Sequence, residues 1–354
     1  MKVKGIAYNG AMILAGDVGG TKTRLGLFRP APRRPEAVAV DEFITLDYDG
    51  LEAIIEQFLA RQGVTSRELS AACVGVAGAV TDQVATLTNV PWRISASAMT
   101  SALTLEQVSV LNDLEALAYA VSVLDAGEIA VLQEGVRVAS GNMAVIAAGT
   151  GLGESMLLNV DGRFVPGESE GGHADFAART PRELDMVSAL TPVLGRISAE
   201  SILSGPGLVN IYQFTHQAIG SAPFVTTSST APSRLCAGVG EVSEPADLPA
   251  AITSAAADGR CDDCVETLDL FVSAYGAEAG NLALRTVATA GVYIGGGIAP
   301  HVLPALRAGG FMDAFRAKAP MDDLVSRIPV AVILNSRAGL LGAAVHAAGM
   351  LASR

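Results

Sequence analysis

The chain has 354 residues, half of them hydrophobic and 17% charged, with a formal net charge of −12. That length exceeds one ordinary core and points to two domains with a sizeable buried interior. The acidic balance, with no Lys/Arg cluster, argues against nucleic acid or an anionic membrane surface as partner. No uninterrupted apolar run reaches the roughly 18–20 residues of a membrane span. The start, with two lysines and a moderately apolar stretch, has the outline of a signal peptide, but Tyr8-Asn9-Gly10 interrupts it. It runs straight into Asp17-Val18-Gly19-Gly20 with no cleavage region, so a short leader and a cytoplasmic protein are expected.

Met12 to Leu14 leads into Gly16-Asp17-Val18-Gly19-Gly20-Thr21-Lys22, and Arg24 to Phe28 leads out with alternating apolar positions. The pattern predicts strand, tight turn, strand, with Gly19 and Gly20 free to take positive φ. Successive N–H groups with the Thr21 hydroxyl would form an anion cradle, and the Asp17 carboxylate suits a divalent metal or its waters. An ordinary Gly-Gly hairpin is the equal alternative on this stretch alone. A third strand over 36–44 follows, then a helix over 48–62 stopped by Gly63, a buried parallel strand over 71–77 and a meander over 84–92. A helix over 96–103 and a short strand over 108–111 bring Asn112-Asp113 to a strand's carboxyl end, ahead of a helix over 114–124.

The pattern then restarts. A buried strand over 143–147 turns through Gly149-Thr150-Gly151-Leu152-Gly153 into a strand over 155–160, and Asp161-Gly162 predicts a type I′ hairpin turn. A duplicated α/β core with a phosphate loop in each half would leave a ligand cleft between the halves. Helices are expected over 182–193, 207–218 and 265–285, and again over 338–348 at the end. Strands are expected over 292–294, running into Gly295-Gly296-Gly297, and over 329–334. The Ser/Thr/Pro-rich stretch 221–248 reads as a loop.

Asp113 stands where open α/β sheets bind ligands, although an isolated Asp there more often just caps the helix. Beside a phosphate cradle it would suit a general base, and Asn112 offers a donor and an acceptor to a neighbouring hydroxyl. Pro166-Gly167-Glu168-Ser169-Glu170-Gly171-Gly172-His173 gathers two carboxylates and a histidine around Gly-Gly, which favours a loop for a hydroxyl-rich ligand. Glu200 reads as a ligand group or a first-turn helix carboxylate. Among the four cysteines only Cys261 and Cys264 are close. A structural zinc would need a second Cys or His pair at matching spacing, and none is visible, so thiols on a helix are expected.

Asp17-Val18-Gly19-Gly20-Thr21, Asn112-Asp113, Gly149 to Gly153, Glu170 to His173, Leu203-Ser204-Gly205-Pro206-Gly207-Leu208 and Gly295 to Pro300 occur in an order that resembles bacterial glucokinase. The similarity runs from about residue 12 to Gly342 and is narrowest to the proteobacterial group of the hexokinase and actin-like ATPase superfamily. The sugar kinases of the repressor, open-reading-frame and kinase family generally carry a Cys-rich zinc motif after the histidine. None follows His173, so the chain resembles the zinc-free group.

The resemblance implies a two-domain α/β actin-like ATPase (ribonuclease H-like) fold with a cleft between the domains. Residues 1–111 plus 332–354 would form the smaller domain and 112–331 the larger, partly helical one. It implies Asp113 as catalytic base, and Asn89, Asn112, Glu170, His173 and Glu200 as sugar ligands. Glu168 is the alternative to Glu170, because the motif carries two extra residues here. Asp17, Gly19, Gly20 and Thr21 would form the first phosphate loop, Gly149, Thr150, Gly151 and Gly153 the second, and Gly295 and Gly296 the adenosine site. Asp17 would hold Mg²⁺, directly or through water, while Lys22 receives no fixed role. The implied activity is ATP-dependent phosphorylation of glucose by a homodimer. A kinase for another hexose, or a sugar-sensing regulator without turnover, are the rival readings.

Overall fold

The computed structural model describes residues 11–87, 90–167, 169–217, 235–240 and 242–352. Asn89, Glu168 and most of the Ser/Thr/Pro-rich stretch lie outside them. The chain divides into two compact bodies. One comprises Met1–Glu128, Phe164–Pro166 and Asn335–Arg354, the other Ile129–Arg163 and Gly167–Leu334.

The first body is built on strands β1 (Met12–Val18), β2 (Lys22–Arg29), β3 (Glu36–Ile44) and β4 (Leu69–Val76). A small meander, β5 (Val80–Thr81), β6 (Val84–Thr86) and β7 (Arg93–Ser95), precedes β8 (Val108–Asn112). The main sheet has the order β3-β2-β1-β4-β8. Within it β1, β4 and β8 are parallel, and the first three strands pair antiparallel. Alternation along β1 sends Leu14 and Val18 to one face, with α1 (Leu51–Gln62) and Met99 of α2 (Ala96–Leu103). Ile13 and Ala15 go to the other. There α3 (Asp113–Val121) meets the chain's last helix, and Gly75 lets α3 start close to the sheet, since a Cβ there would stand 2.7 Å from that of Ala116.

A second, six-stranded sheet repeats the plan with β9 (Ile129–Gln133), β10 (Met143–Ala148), β11 (Leu152–Val160), β12 (Arg163–Gly167), β13 (Gly291–Gly295) and β14 (Val330–Ile333). Its order is β12-β11-β10-β13-β14-β9. Three strands in meander order followed by two parallel ones thus occur twice, which is the duplication expected from the sequence. The extra edge strand β9, which the sequence pattern does not predict, is antiparallel to β14. On one face of this sheet Ala144, Ile146, Val292 and Val332 pack with α4 (Pro181–Leu194), α5 (Gly205–Thr215), α6 (Leu248–Ala257) and α7 (Asp262–Thr286). Short helices α8 (Ile298–His301), α9 (Leu303–Arg307), α10 (Gly310–Arg316) and α11 (Asp322–Val325) lead to β14, and α12 (Ala338–Ala352) closes the first body. Asp161 and Gly162 both have positive φ, as the type I′ turn requires.

Two expectations change. Neither Gly19 nor Gly20 adopts positive φ. A Cβ on Gly19 would instead make a tight contact, 3.1 Å from the Lys22 carbonyl oxygen. The cysteines are also not separate: Cys236 joins Cys261 and Cys264, because α5 ends where α7 begins and the 235–240 turn lies against both. Spacing in sequence hid this, since His216 and Cys236 stand at isolated positions rather than in a pair.

Candidate active site

In the first body the turn after β1 is a three-residue hairpin link, Gly19 to Thr21. Gly19 N donates to Lys22 O at 3.0 Å, so that amide serves the turn, not a ligand. A residue the sequence did not flag holds the turn from outside. Thr45 is fully buried; its N–H donates to Thr21 O at 2.9 Å, and its hydroxyl to Gly19 O at 2.9 Å. Lys22, open in the sequence, pairs at 2.6 Å with Glu42 across β2 and β3, where both side chains are largely exposed.

Asp17, next to last in β1, is half-buried, 3.6 Å from the Arg24 guanidinium. Burial pushes its carboxyl upward and Arg24 opposes the shift. Gly339 faces it; a Cβ there would lie 3.6 Å from the carboxyl carbon. Two strands away, β8 delivers Asn112 and Asp113. Asn112 caps α3, accepting Leu114 N at 2.9 Å and donating to Gly78 O at 2.9 Å, which leaves one amide N–H for a ligand. Asp113 accepts Leu114 N at 2.8 Å through Oδ1. Its side chain reaches solvent, yet the surrounding protein takes away enough hydration to raise its pKa from 3.8 to about 6. The charge on Asp17 adds to this and hydrogen bonds oppose it.

The second body gathers its candidates around the β10–β11 turn. Gly149 N bonds Gly151 O at 2.8 Å, and Gly205 N, opening α5, bonds Gly149 O at 2.8 Å. Gly295 pairs with Ala147 on the neighbouring strand. Gly296 has φ +82° and abuts Ala148, where a Cβ would stand 2.2 Å from the carbonyl oxygen, so only glycine fits. The adenosine and second-phosphate candidates are therefore contiguous. Glu200 lies before α5, whose cap is Ser204, so the first-turn reading fails. Its Oε2 accepts Leu152 N at 2.9 Å, and its N–H donates to Gly172 O at 2.8 Å. His173 stands between two carboxylates, with Nδ1 3.9 Å from Glu200 and Nε2 3.8 Å from Glu170. Beneath this loop lies Glu154, buried and absent from the sequence candidates, so close that a Cβ on Gly171 would clash with its carboxylate.

The chain matches the glucokinase family model over residues 14–350. A glucokinase of Synechocystis sp. is 37% identical, over 96% of this chain and 98% of its own length. The solved glucokinase of an Antarctic psychrotroph is 28% identical with a TM-score of 0.82, covering 96% of this chain and 99% of that one. A ROK family glucokinase from Streptomyces griseus, solved with glucose and AMPPNP, is 22% identical with a TM-score of 0.61, covering 95% and 99% of the two chains, and speaks to the fold. The doubled sheet with a glycine turn in each half, together with these matches, places the chain among the sugar kinases of the actin-like ATPase fold. Within that class, the chain belongs to the glucokinase family.

Proposed function

We infer that the chain is an ATP-dependent glucokinase, transferring the γ-phosphoryl group to the 6-hydroxyl of D-glucose with Asp113 as the base. The observation that carries the mechanism is the place of Asp113. It lies at the carboxyl end of β8, in the same sheet as the Gly19–Thr21 turn, with its pKa raised to about 6. Such a carboxylate is ionised near neutrality yet far more basic than an ordinary Asp. As the sugar's 6-oxygen bonds to the γ-phosphorus, the bond to the β–γ bridging oxygen breaks. The hydroxyl proton passes to Asp113, and ADP leaves.

Asp17, Gly19, Gly20 and Thr21 would bind phosphates in the first body. Gly149, Thr150, Gly151 and Gly153 would do so in the second, with Gly295 and Gly296 against adenosine. Asn112, Glu170, His173 and Glu200 would hold the ring hydroxyls. The half-buried Asp17 carboxylate would be the hard oxygen donor for Mg²⁺, alone or through water, beside its ion-pair partner Arg24 at 3.6 Å. Bound there, Mg²⁺ would neutralise phosphate charge. The same reading puts forward a cytoplasmic homodimer. No helix among the described residues is long and apolar enough to cross a membrane.

Measuring ADP release with and without glucose, then across a panel of hexoses, tests the reading. Glucose-dependent release that Asp113→Ala abolishes without loss of fold supports it. Sugar binding without turnover would make the chain a sensor instead.

A further inference from the structure

We propose that His216, Cys236, Cys261 and Cys264 form a structural zinc site in the second body, independent of the phosphoryl-transfer residues. One nitrogen and three sulfurs offered by these side chains all lie within 4.8 Å of one another. A tetrahedral zinc with Zn–S of about 2.3 Å and Zn–N of about 2.0–2.1 Å holds its ligand atoms about 3.8 Å (S···S) and about 3.5 Å (S···N) apart. Here Cys236 Sγ and Cys264 Sγ are 3.7 Å apart, Cys261 Sγ and His216 Nε2 3.4 Å, and Cys264 Sγ and His216 Nε2 3.9 Å. A disulfide requires about 2.05 Å, so these sulfurs are at ligand spacing, not bonding distance.

The surrounding groups orient the ligands. His216 Nδ1 lies 2.9 Å from the Tyr212 carbonyl oxygen. A carbonyl only accepts, so Nδ1 carries the hydrogen and Nε2 turns its lone pair to the sulfurs. Tyr212 also stacks on the imidazole at 3.8 Å between centroids, and its hydroxyl accepts Cys236 N at 2.8 Å. Gly238 lets the 235–240 turn close on α7, because a Cβ there would stand 2.8 Å from the Cys261 Cβ. Three thiolates and an imidazole at this spacing are a soft set that selects zinc over the hard Mg²⁺ of phosphate chemistry. The metal would fasten the C-terminal end of α5, the 235–240 turn and the N-terminal end of α7. The opposite end of α5 is hydrogen-bonded to Gly149 in the candidate phosphate turn.

The full-length chain, purified reduced and without chelator or metal-affinity tag, should retain about one zinc per molecule by elemental analysis. Cys236→Ser and His216→Ala should lower that content at least several-fold, whereas Cys73→Ala, removing the buried thiol of β4, should leave it unchanged. Should the ligand variants fail to fold, the wild-type chain still decides the matter. After zinc is removed by chelator, Co²⁺ should bind stoichiometrically, with visible d–d bands and thiolate-to-cobalt charge transfer typical of tetrahedral sulfur-rich sites. Retention of less than about a tenth of an equivalent of zinc with Zn²⁺ supplied, with no such cobalt spectrum, overturns the proposal. So does a Cys236–Cys264 disulfide in the freshly isolated protein. ADP formation is scored separately, so failure of the zinc site leaves the kinase reading untouched.

Discussion

Glu200 Oε2 accepts the backbone N–H of Leu152 at 2.9 Å, joining a candidate sugar ligand to the candidate phosphate turn. The contact is tight enough that a Cβ on Gly151 would stand 2.5 Å from the same oxygen. One carboxylate therefore does two jobs: Oε2 fixes the turn, and Oε1 faces His173 at 3.9 Å.

The two roles separate by substitution. Glu200→Gln keeps an oxygen for Leu152 N but loses the charge, so it should raise the glucose KM about 10-fold, with little change in the ATP KM. Glu200→Ala leaves the Leu152 amide without its partner, and both constants should rise. Steady-state kinetics with each substrate varied checks this. Equal ATP KM values in the two variants would remove the link.

Asp113 makes the pH profile diagnostic. If it is the base, kcat/KM for glucose should fall on the acid side with an apparent pKa of about 6, not near 3.8. The raised value also carries a stability cost. The folded state binds the proton more tightly, so the stability it lends is full below 3.8 and lost as pH rises through about 6. Asp113→Asn should therefore be inactive yet melt higher than the wild type at pH near 8. An inactive variant that melts several degrees lower would point to a structural role instead.

Glu154 predicts a second pH effect, on stability. Glu278 already receives hydrogen bonds from Asn281 and Arg285, both at 2.8 Å, whereas Glu154 has Arg285 only at 3.7 Å. Burial, and then the neighbouring Glu278, raise the Glu154 pKa from 4.5 to about 7. Stability from this proton is full below 4.5 and is lost as pH rises through about 7. Glu154→Gln supplies a permanent N–H toward Glu278, so it should be more stable than the wild type at pH near 8 by on the order of 1–3 kcal/mol. Denaturant melts at several pH values measure the slope, and parallel wild-type and variant curves would refute the assignment.

How much of this was legible in the chain depends on range. The β1–β2 hairpin, β3 and α2 follow from local apolar periodicity and punctuation, and the fold keeps them where the pattern put them. The repeated strand–turn–strand pattern disclosed the duplicated sheet, because each half had to encode its own buried parallel strand. What stayed hidden is held by contacts between distant positions. Thr45 reads as an ordinary strand-end residue until β3 returns it to the Gly19 carbonyl. Glu154 sits in an alternating strand where nothing local marks it as the support under Gly171. The His216–Cys236 side of the thiol cluster spans 20 residues without a spacing motif, so only the meeting of α5 and α7 reveals it.

Thr45 gives the last prediction and separates a structural from a catalytic reading of the first turn. Its hydroxyl donates to Gly19 O at 2.9 Å and meets that of the buried Thr23 at 3.0 Å. Thr45→Val preserves shape but strands both partners, at a cost of about 1–3 kcal/mol for buried polar groups left unpaired. The Gly19–Thr21 turn should then loosen, raising the ATP KM several-fold while the glucose KM holds. Lys22→Ala supplies the contrast. Its pair with Glu42 is exposed and solvent-screened, so losing it should shift the melting temperature little and the ATP KM less than about 2-fold. If Lys22→Ala instead weakened ATP binding more than Thr45→Val, Lys22 would have to leave Glu42 for phosphate when nucleotide binds, and the turn's grip would rest on that cation, not on Thr45.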